Sequence, residues 1–394
     1  MAQRSSATPS APGVARLPLF ISGCAGMFVF GIVLALLGTL FGLPEMRARL
    51  HVDLAREGNL FLLLYAGVLA ATVVVGPLID SIGNKLVLLV SALLVTLALT
   101  GFIAAESYVL AAVSSVLLGM GGGGLNTSAN VLASDLYGED RGPMLNVLGI
   151  FYGIGALAIP LLAASIAAVL SVRQLLILAT ALAALATLAY ALLRFPPPSE
   201  AQGFSAGELA QVVRYPGVLL LAFVLFFESG NEAAIGGWTS SYAGSVGADA
   251  RAATWVLSGY WAALMAGRLL AVRLLRYFGE AQLVLASGVG SVAGCAVLLL
   301  AGSTRGVAAG VALLGVSFAA IYPTTLAIAG DRYPRFSGSV FGLLFSIGLC
   351  GGMIFPWAMG HLAEGFGLRR TMSLPLVSAL MICMLASVIL ARDR

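Results

Sequence analysis

The chain has 394 residues, 60% hydrophobic and only 10% charged, against roughly 45–50% apolar and 25% charged in a soluble domain. With a mean hydropathy of +1.01 and apolar stretches recurring from Leu17 to Ala391, a soluble fold is excluded, and so is a soluble domain on a single anchor. The net charge of +4 comes mainly from loop arginines, which read as topology signals and not as a nucleic-acid surface.

Runs such as residues 86–104 are apolar on every side, where a barrel strand would alternate apolar and polar. The expectation is an all-α polytopic membrane protein. Apolar stretches bounded by charge, glycine, proline or polar clusters begin near Leu17, Asn59, Leu86, Tyr108, Met144, Arg173, Tyr215, Ala252, Ala281, Gly306, Phe336 and Thr371. At about 20 residues each, these twelve spans leave short connections and no room for an extramembrane catalytic domain. Residues 1–16, rich in Ser, Ala and Pro, are expected to be a disordered tail. The first span is too long for a signal peptide and is retained. More of the Lys and Arg, Arg16, Lys85, Arg141, Arg194, Arg268 and Arg332 among them, fall on the side of the two termini, which makes that side cytoplasmic. Phe195-Pro196-Pro197-Pro198-Ser199 breaks any helix and marks a hinge. The predicted organisation is a six-span half over 17–194, a cytoplasmic linker over 195–214 and a second half over 215–394.

Sliding the chain on itself by 196 residues brings the halves into register without a gap. Asp135 meets Asp331, Tyr137 meets Tyr333, Gly155 meets Gly351, Pro160 meets Pro356 and Arg173 meets Arg369. Asp, Tyr, Pro and Arg are scarce here, so their coincidence indicates a repeat. Six spans is an even number, so both copies enter the membrane the same way and form parallel repeats about an axis along the membrane normal.

Between spans two and three lies Gly76-Pro77-Leu78-Ile79-Asp80-Ser81-Ile82-Gly83-Asn84-Lys85. Glycine permits close helix approach, and an Asp at a helix end pairs with a base or a helix N-terminus in one gate position only. Gly267-Arg268, followed by Arg276 and Gly279, is the second-half counterpart without an acid. Gly76, Asp80, Gly83, Lys85 and Arg268 are therefore read as gating residues.

In span four a glycine run leads to Asn126 and Asn130, two amides on one helical face. They serve either as interhelical glue or as hydrogen-bonding partners of a hydroxyl-rich solute. Span five carries Tyr152 and Pro160, and span eleven carries Pro356 in register; both prolines permit the bending of gating helices. Span seven holds Glu228, Asn231, Glu232 and Trp238. Glu228 and Glu232, the two acids placed well inside a span, share one face, and burial with mutual repulsion favours a proton on at least one of them. Structural hydrogen bonding is the alternative. No span supplies a Lys or His as counter-ion, and His51 and His361 fall at solvated positions on the outer side. Trp261, Tyr322 and Trp357 can offer aromatic faces to a sugar ring, or simply pack. Cys24, Cys295, Cys350 and Cys383 fall in apolar spans with no disulfide or metal-ligand spacing.

The loop from Gly76 to Lys85 resembles the signature of the major facilitator superfamily, with Ser81 and Asn84 where basic residues are usual. The glycine-rich span ending in Asn126 and Asn130, Leu145-Asn146 with Phe151-Tyr152-Gly153-Ile154-Gly155, and Glu232 with Trp238 and Tyr242 are similar to the fucose, glucose and galactose permease branch. That resemblance implies proton-coupled sugar uptake by alternating access, with a sugar held between the halves. This chain departs from the fucose permeases in lacking a span-one acid and in having Asn126 at the place of their span-four Glu. Proton coupling then falls to Glu228 or Glu232.

The reading is a non-enzymatic secondary transporter of a bacterial-type inner membrane, with both termini cytoplasmic. It is expected to work as a monomer without cofactor, taking a small polar solute, foremost a sugar, with protons. A drug or amphiphile exporter of the same fold and a non-transporting solute sensor are the alternatives.

Overall fold

The computed structural model describes residues 16–138, 141–166, 171–195, 211–334 and 337–392. The expected tail up to residue 15 and the proline-rich hinge from residue 196 to 210 lie outside the described residues. Among those described, every regular element is a helix: α1 (Arg16–Leu40), α2 (Pro44–Leu50), α3 (Leu54–Ile82), α4 (Asn84–Ala104), α5 (Tyr108–Tyr137), α6 (Arg141–Ile166), α7 (Val172–Leu192), α8 (Pro216–Ser245), α9 (Ala250–Leu274), α10 (Glu280–Leu300), α11 (Thr304–Phe318), α12 (Ile321–Arg332), α13 (Ser337–Thr371) and α14 (Ser373–Arg392). They supply twelve membrane-length apolar spans, α11 and α12 together making the tenth.

Local chemistry starts these helices where the polar punctuation stands. Asp53 accepts from the Arg56 N–H and Asp249 from the Ala252 N–H; Ser107 accepts from Leu110 and Ser303 from Gly306. Each cap satisfies an N–H that the first helical turn leaves unpaired. Asp53 and Asp249, like Ser107 and Ser303, stand 196 residues apart. The starts of α3, α4, α5 and α6 recur at that same offset as the starts of α9, α10, α11 and α13. The tenth span breaks at Ala319–Ala320, where Pro323 has no N–H for the Ala319 carbonyl and its ring crowds that carbonyl.

Packing repeats with the sequence. In the first six spans α1 lies on α6, α3 on α5, and α4 on α5 and α7; in the last six α8 lies on α13, α9 on α11, and α10 on α11 and α14. Gly155 shows why α1 and α6 come so close: a Cβ there would run into the Phe28 carbonyl, and one at Gly351, its repeat partner, would run into the Phe226 carbonyl. The two sets of spans meet chiefly through α3 against α13 and α6 against α9, contacts that the repeat interchanges. A site enclosed by all four therefore lies near the axis relating the two sets.

Candidate functional site in the central helices

Glu228 and Glu232 sit about 18 and 24 Å along α8 from its start, at the rise of an α-helix, deep within the span. Glu228 is buried, with one carboxylate oxygen accepting from Ser229 Oγ at 3.2 Å and the other without a protein partner. Glu232 turns toward the first six spans, where Oε1 accepts the Tyr152 hydroxyl of α6 at 3.2 Å. The Tyr152 ring packs tilted on Phe30 of α1 and edge-on to Trp261 of α9, with centroids 5.5 and 6.3 Å apart.

Arg268 corrects the reading of this region. The sequence places it at a cytoplasmic gate, but it belongs to α9, about 9 Å from the end of that helix. Its guanidinium lies 5.5 Å from the Tyr152 ring centroid and donates to the Gly149 carbonyl at 3.4 Å. The buried Nε of Arg268 has no protein partner. Where no Lys or His stands, an arginine thus lies within electrostatic reach of Glu228. A guanidinium over an aromatic face is a favourable pairing, and more so where water is scarce.

Other polar side chains complete the arrangement. Tyr322 of α12 lies within reach of the charges on Glu228, Glu232 and Arg268, and its ring stacks on Phe345 with planes 7° apart. Two residues not singled out from the sequence join them: Tyr65 of α3, whose ring lies over Gly352, and Tyr260 of α9. The Tyr260 hydroxyl and the Trp261 indole N–H are buried without protein partners. A tyrosine in an apolar helix carries no signal separating packing from binding, so only the three-dimensional arrangement picks these two out.

Several expected residues fall elsewhere. Trp238 is fully buried, donates from Nε1 to the Pro356 carbonyl at 3.1 Å and packs on Phe61. It joins α8 to α13 and α3. Asn231 donates to the Pro375 carbonyl of α14 at 3.3 Å. Asn130 donates to the backbone and side-chain oxygens of Asn126, so the two amides of α5 satisfy each other in part. α6 runs through Pro160 and α13 through Pro356. Gly83 makes the turn between α3 and α4 at φ 85°. A side chain at Gly76 would meet open space, so the close helix approach expected there is absent in this conformation. Asp80 is exposed and lies near Asp135, and Lys85 donates to the Ala191 carbonyl at 3.0 Å. His361 is exposed, as expected, and its ring pairs with Asn59 Oδ1 at 3.0 Å across α13 and α3.

The family model of the major facilitator superfamily matches residues 23–242 and 221–394. The chain belongs to the major facilitator superfamily. It is 26% identical over 372 residues to an uncharacterized transporter, y4wD, of Sinorhizobium fredii, covering 93% of this chain and 96% of that one. Among solved structures it resembles a variant of the nucleoside transporter NupG with a TM-score of 0.79 at 16% identity, covering 96% of this chain and 100% of that chain. The Escherichia coli fucose:proton symporter FucP gives a TM-score of 0.65 at 20% identity, covering 94% and 98%. At these identities the likeness to solved structures is one of fold. The charged and aromatic cluster draws on α3 and α6 of the first six spans and on α8, α9 and α12 of the last six.

Proposed function

We propose that this superfamily member carries a small, hydroxyl-rich, uncharged solute, foremost a sugar, with proton symport. The two six-span halves, 17–194 and 215–394, rock about the central cluster. The observation that supports this reading best is the Tyr152–Glu232 hydrogen bond beneath Arg268. It gives the site a carboxylate acceptor, hydroxyl donors and aromatic faces within one cluster, the combination that binds a sugar's edge and its apolar face. The unpartnered Glu228 Oε1, Tyr260 hydroxyl, Trp261 N–H and Arg268 Nε can all be satisfied by such a solute, and an unmade buried hydrogen bond is costly.

Proton coupling follows from charge balance. Two carboxyls share the cluster with one guanidinium, and a bilayer interior disfavours the surplus charge. One proton shared by Glu228 and Glu232 neutralises the cluster, and its release on one side of the membrane ties proton movement to solute movement. The lysine and arginine bias of the loops supports a bacterial-type inner membrane with cytoplasmic termini.

Purified protein in liposomes, loaded with a labelled hexose panel with and without an imposed pH gradient, tests both parts. Concentrative uptake that collapses with the gradient is expected. Uptake indifferent to the gradient would remove the symport step, and no hexose movement with ready export of amphiphiles would remove the sugar.

A further inference from the structure

The face of the bundle opposite the termini is closed, and an asymmetric cluster holds it. Arg47, on the short helix α2, donates from Nη2 to Glu57 Oε2 at 2.7 Å and to Ser241 Oγ at 2.6 Å, and from Nε to the same Glu57 oxygen at 3.1 Å. Ser241 in turn donates to Glu57 Oε1 at 3.3 Å. Arg47 and Glu57 belong to the first six spans and Ser241 to α8, so the cluster crosses between the two sets. One turn along, Glu364 of α13 accepts from the free N–H groups of Leu54 and Ala55 at the start of α3, at 2.8 and 3.3 Å. Between these ties the backbones touch: a Cβ at Gly58 would meet the carbonyls of Pro356 and Trp357, and Gly360 fills the facing position. The first two turns of α3 are thus gripped from α8 on one side and α13 on the other.

The burial of the ion pair is uneven. The Glu57 side chain is 0% exposed and that of Arg47 is 32% exposed. Among the described residues Glu57 is, with Glu228, one of two buried acids, and it is hidden from sequence reading because it stands in the opening turn of a span. Its repeat counterpart, 196 residues on, is Ala253, so the second half has no equivalent.

We propose that Arg47, Glu57 and Ser241, with Glu364, form the gate that holds this face shut, Arg47 acting as a positioning residue that keeps the Glu57 carboxylate tolerable in its buried place. The inference rests on the alternating movement of the two sets of spans and is independent of which solute is carried. The unequal burial gives it a signature. Removing Arg47 leaves an unpaired carboxylate with no water, which strongly penalises the closed state; removing Glu57 leaves a guanidinium that already reaches solvent. Opening the face hydrates the stranded carboxylate, so the closed conformation alone bears the penalty.

Spin labels at Glu106→Cys and Arg305→Cys, both exposed on this face, in a background with the four native cysteines replaced, report the opening by pulsed electron resonance without any substrate. Arg47→Gln should raise the open-to-closed ratio by roughly tenfold or more, Glu57→Gln should raise it less, and the double substitution should fall back toward the Glu57→Gln value. Equal effects of the two single substitutions, or additivity in the double, would overturn the assignment. Ser241→Ala and Glu364→Gln remove only ties between the two sets of spans and leave the ion pair whole. Each should lengthen the distance distribution in the same direction, and an unchanged distribution in both would overturn the gate even if Arg47→Gln cannot be purified.

Discussion

The Tyr152 hydroxyl of α6 donates to Glu232 of α8 at 3.2 Å, so one hydrogen bond crosses the seam between the two sets of spans. Any movement that separates α6 from α8 breaks it, and a bound solute or a proton can take its place. Glu232→Gln is expected to abolish uptake driven by a pH gradient while sparing counterflow exchange, because exchange does not require the proton to leave. Tyr152→Phe should raise the KM for solute several-fold, on the order of the 1 kcal/mol of one hydrogen bond, and keep the proton requirement. Persistent proton-driven accumulation by both Glu232→Gln and Glu228→Gln would move the coupling site elsewhere.

Arg268 lies over the Tyr152 ring, and the proposed charge balance makes it the cation that offsets the carboxyls. Arg268→Ala is expected to lower stability by on the order of 3 kcal/mol, the scale of stranding a buried charge, seen as a lower Tm in detergent. Adding Glu228→Gln should recover much of that loss, since one carboxyl fewer then needs a cation. Arg268→Lys keeps the charge but not the planar contact, and uptake between those of the wild type and Arg268→Ala is the expected result.

Asp80 lies exposed near the end of α3, two residues before its last residue Ile82. Asp80→Asn should lower the maximal transport rate with little change in KM, as expected of a group that stabilises one gate position only. A loss of affinity at an unchanged maximal rate would place it at the solute.

Asn126 and Asn130 are half-buried and bonded to each other on α5. If they border the solute path, cysteines at these positions should react with small impermeant thiol reagents faster than one at Leu188, a residue 54% exposed on an apolar face, and solute should slow the reaction. Labelling no faster than at Leu188 would assign the two amides to helix packing.

Trp238 holds α8 against α13 through the Pro356 carbonyl. Trp238→Phe should cost about 1 kcal/mol of stability for the lost hydrogen bond, and Trp238→Ala about 3–5 kcal/mol for the cavity. The phenylalanine variant should keep the wild-type KM; a KM shift larger than its stability loss would bring Trp238 back to the solute.

How far the sequence alone reaches is plain from particular elements. Apolar length and polar punctuation are local properties, so the twelve spans and the 196-residue repeat could both be read along the chain, with span starts within a few residues of those observed. Glu228 and Glu232 stood out because a carboxyl is conspicuous in an apolar helix. What the chain could not disclose was rotation and depth. Spans apolar on every side carry no periodicity that tells which face turns inward, so Trp238 was singled out and Tyr260 was not, and only packing sends the first to the Pro356 carbonyl and leaves the second buried beside Trp261. Arg268 was misplaced because its depth depends on where α9 sits against α6, and Glu57 was overlooked because its partners lie on α2 and α8. Contacts between residues as far apart as Arg47 and Ser241 form only when the two sets of spans close on each other, and that closure is a property of the tertiary structure alone.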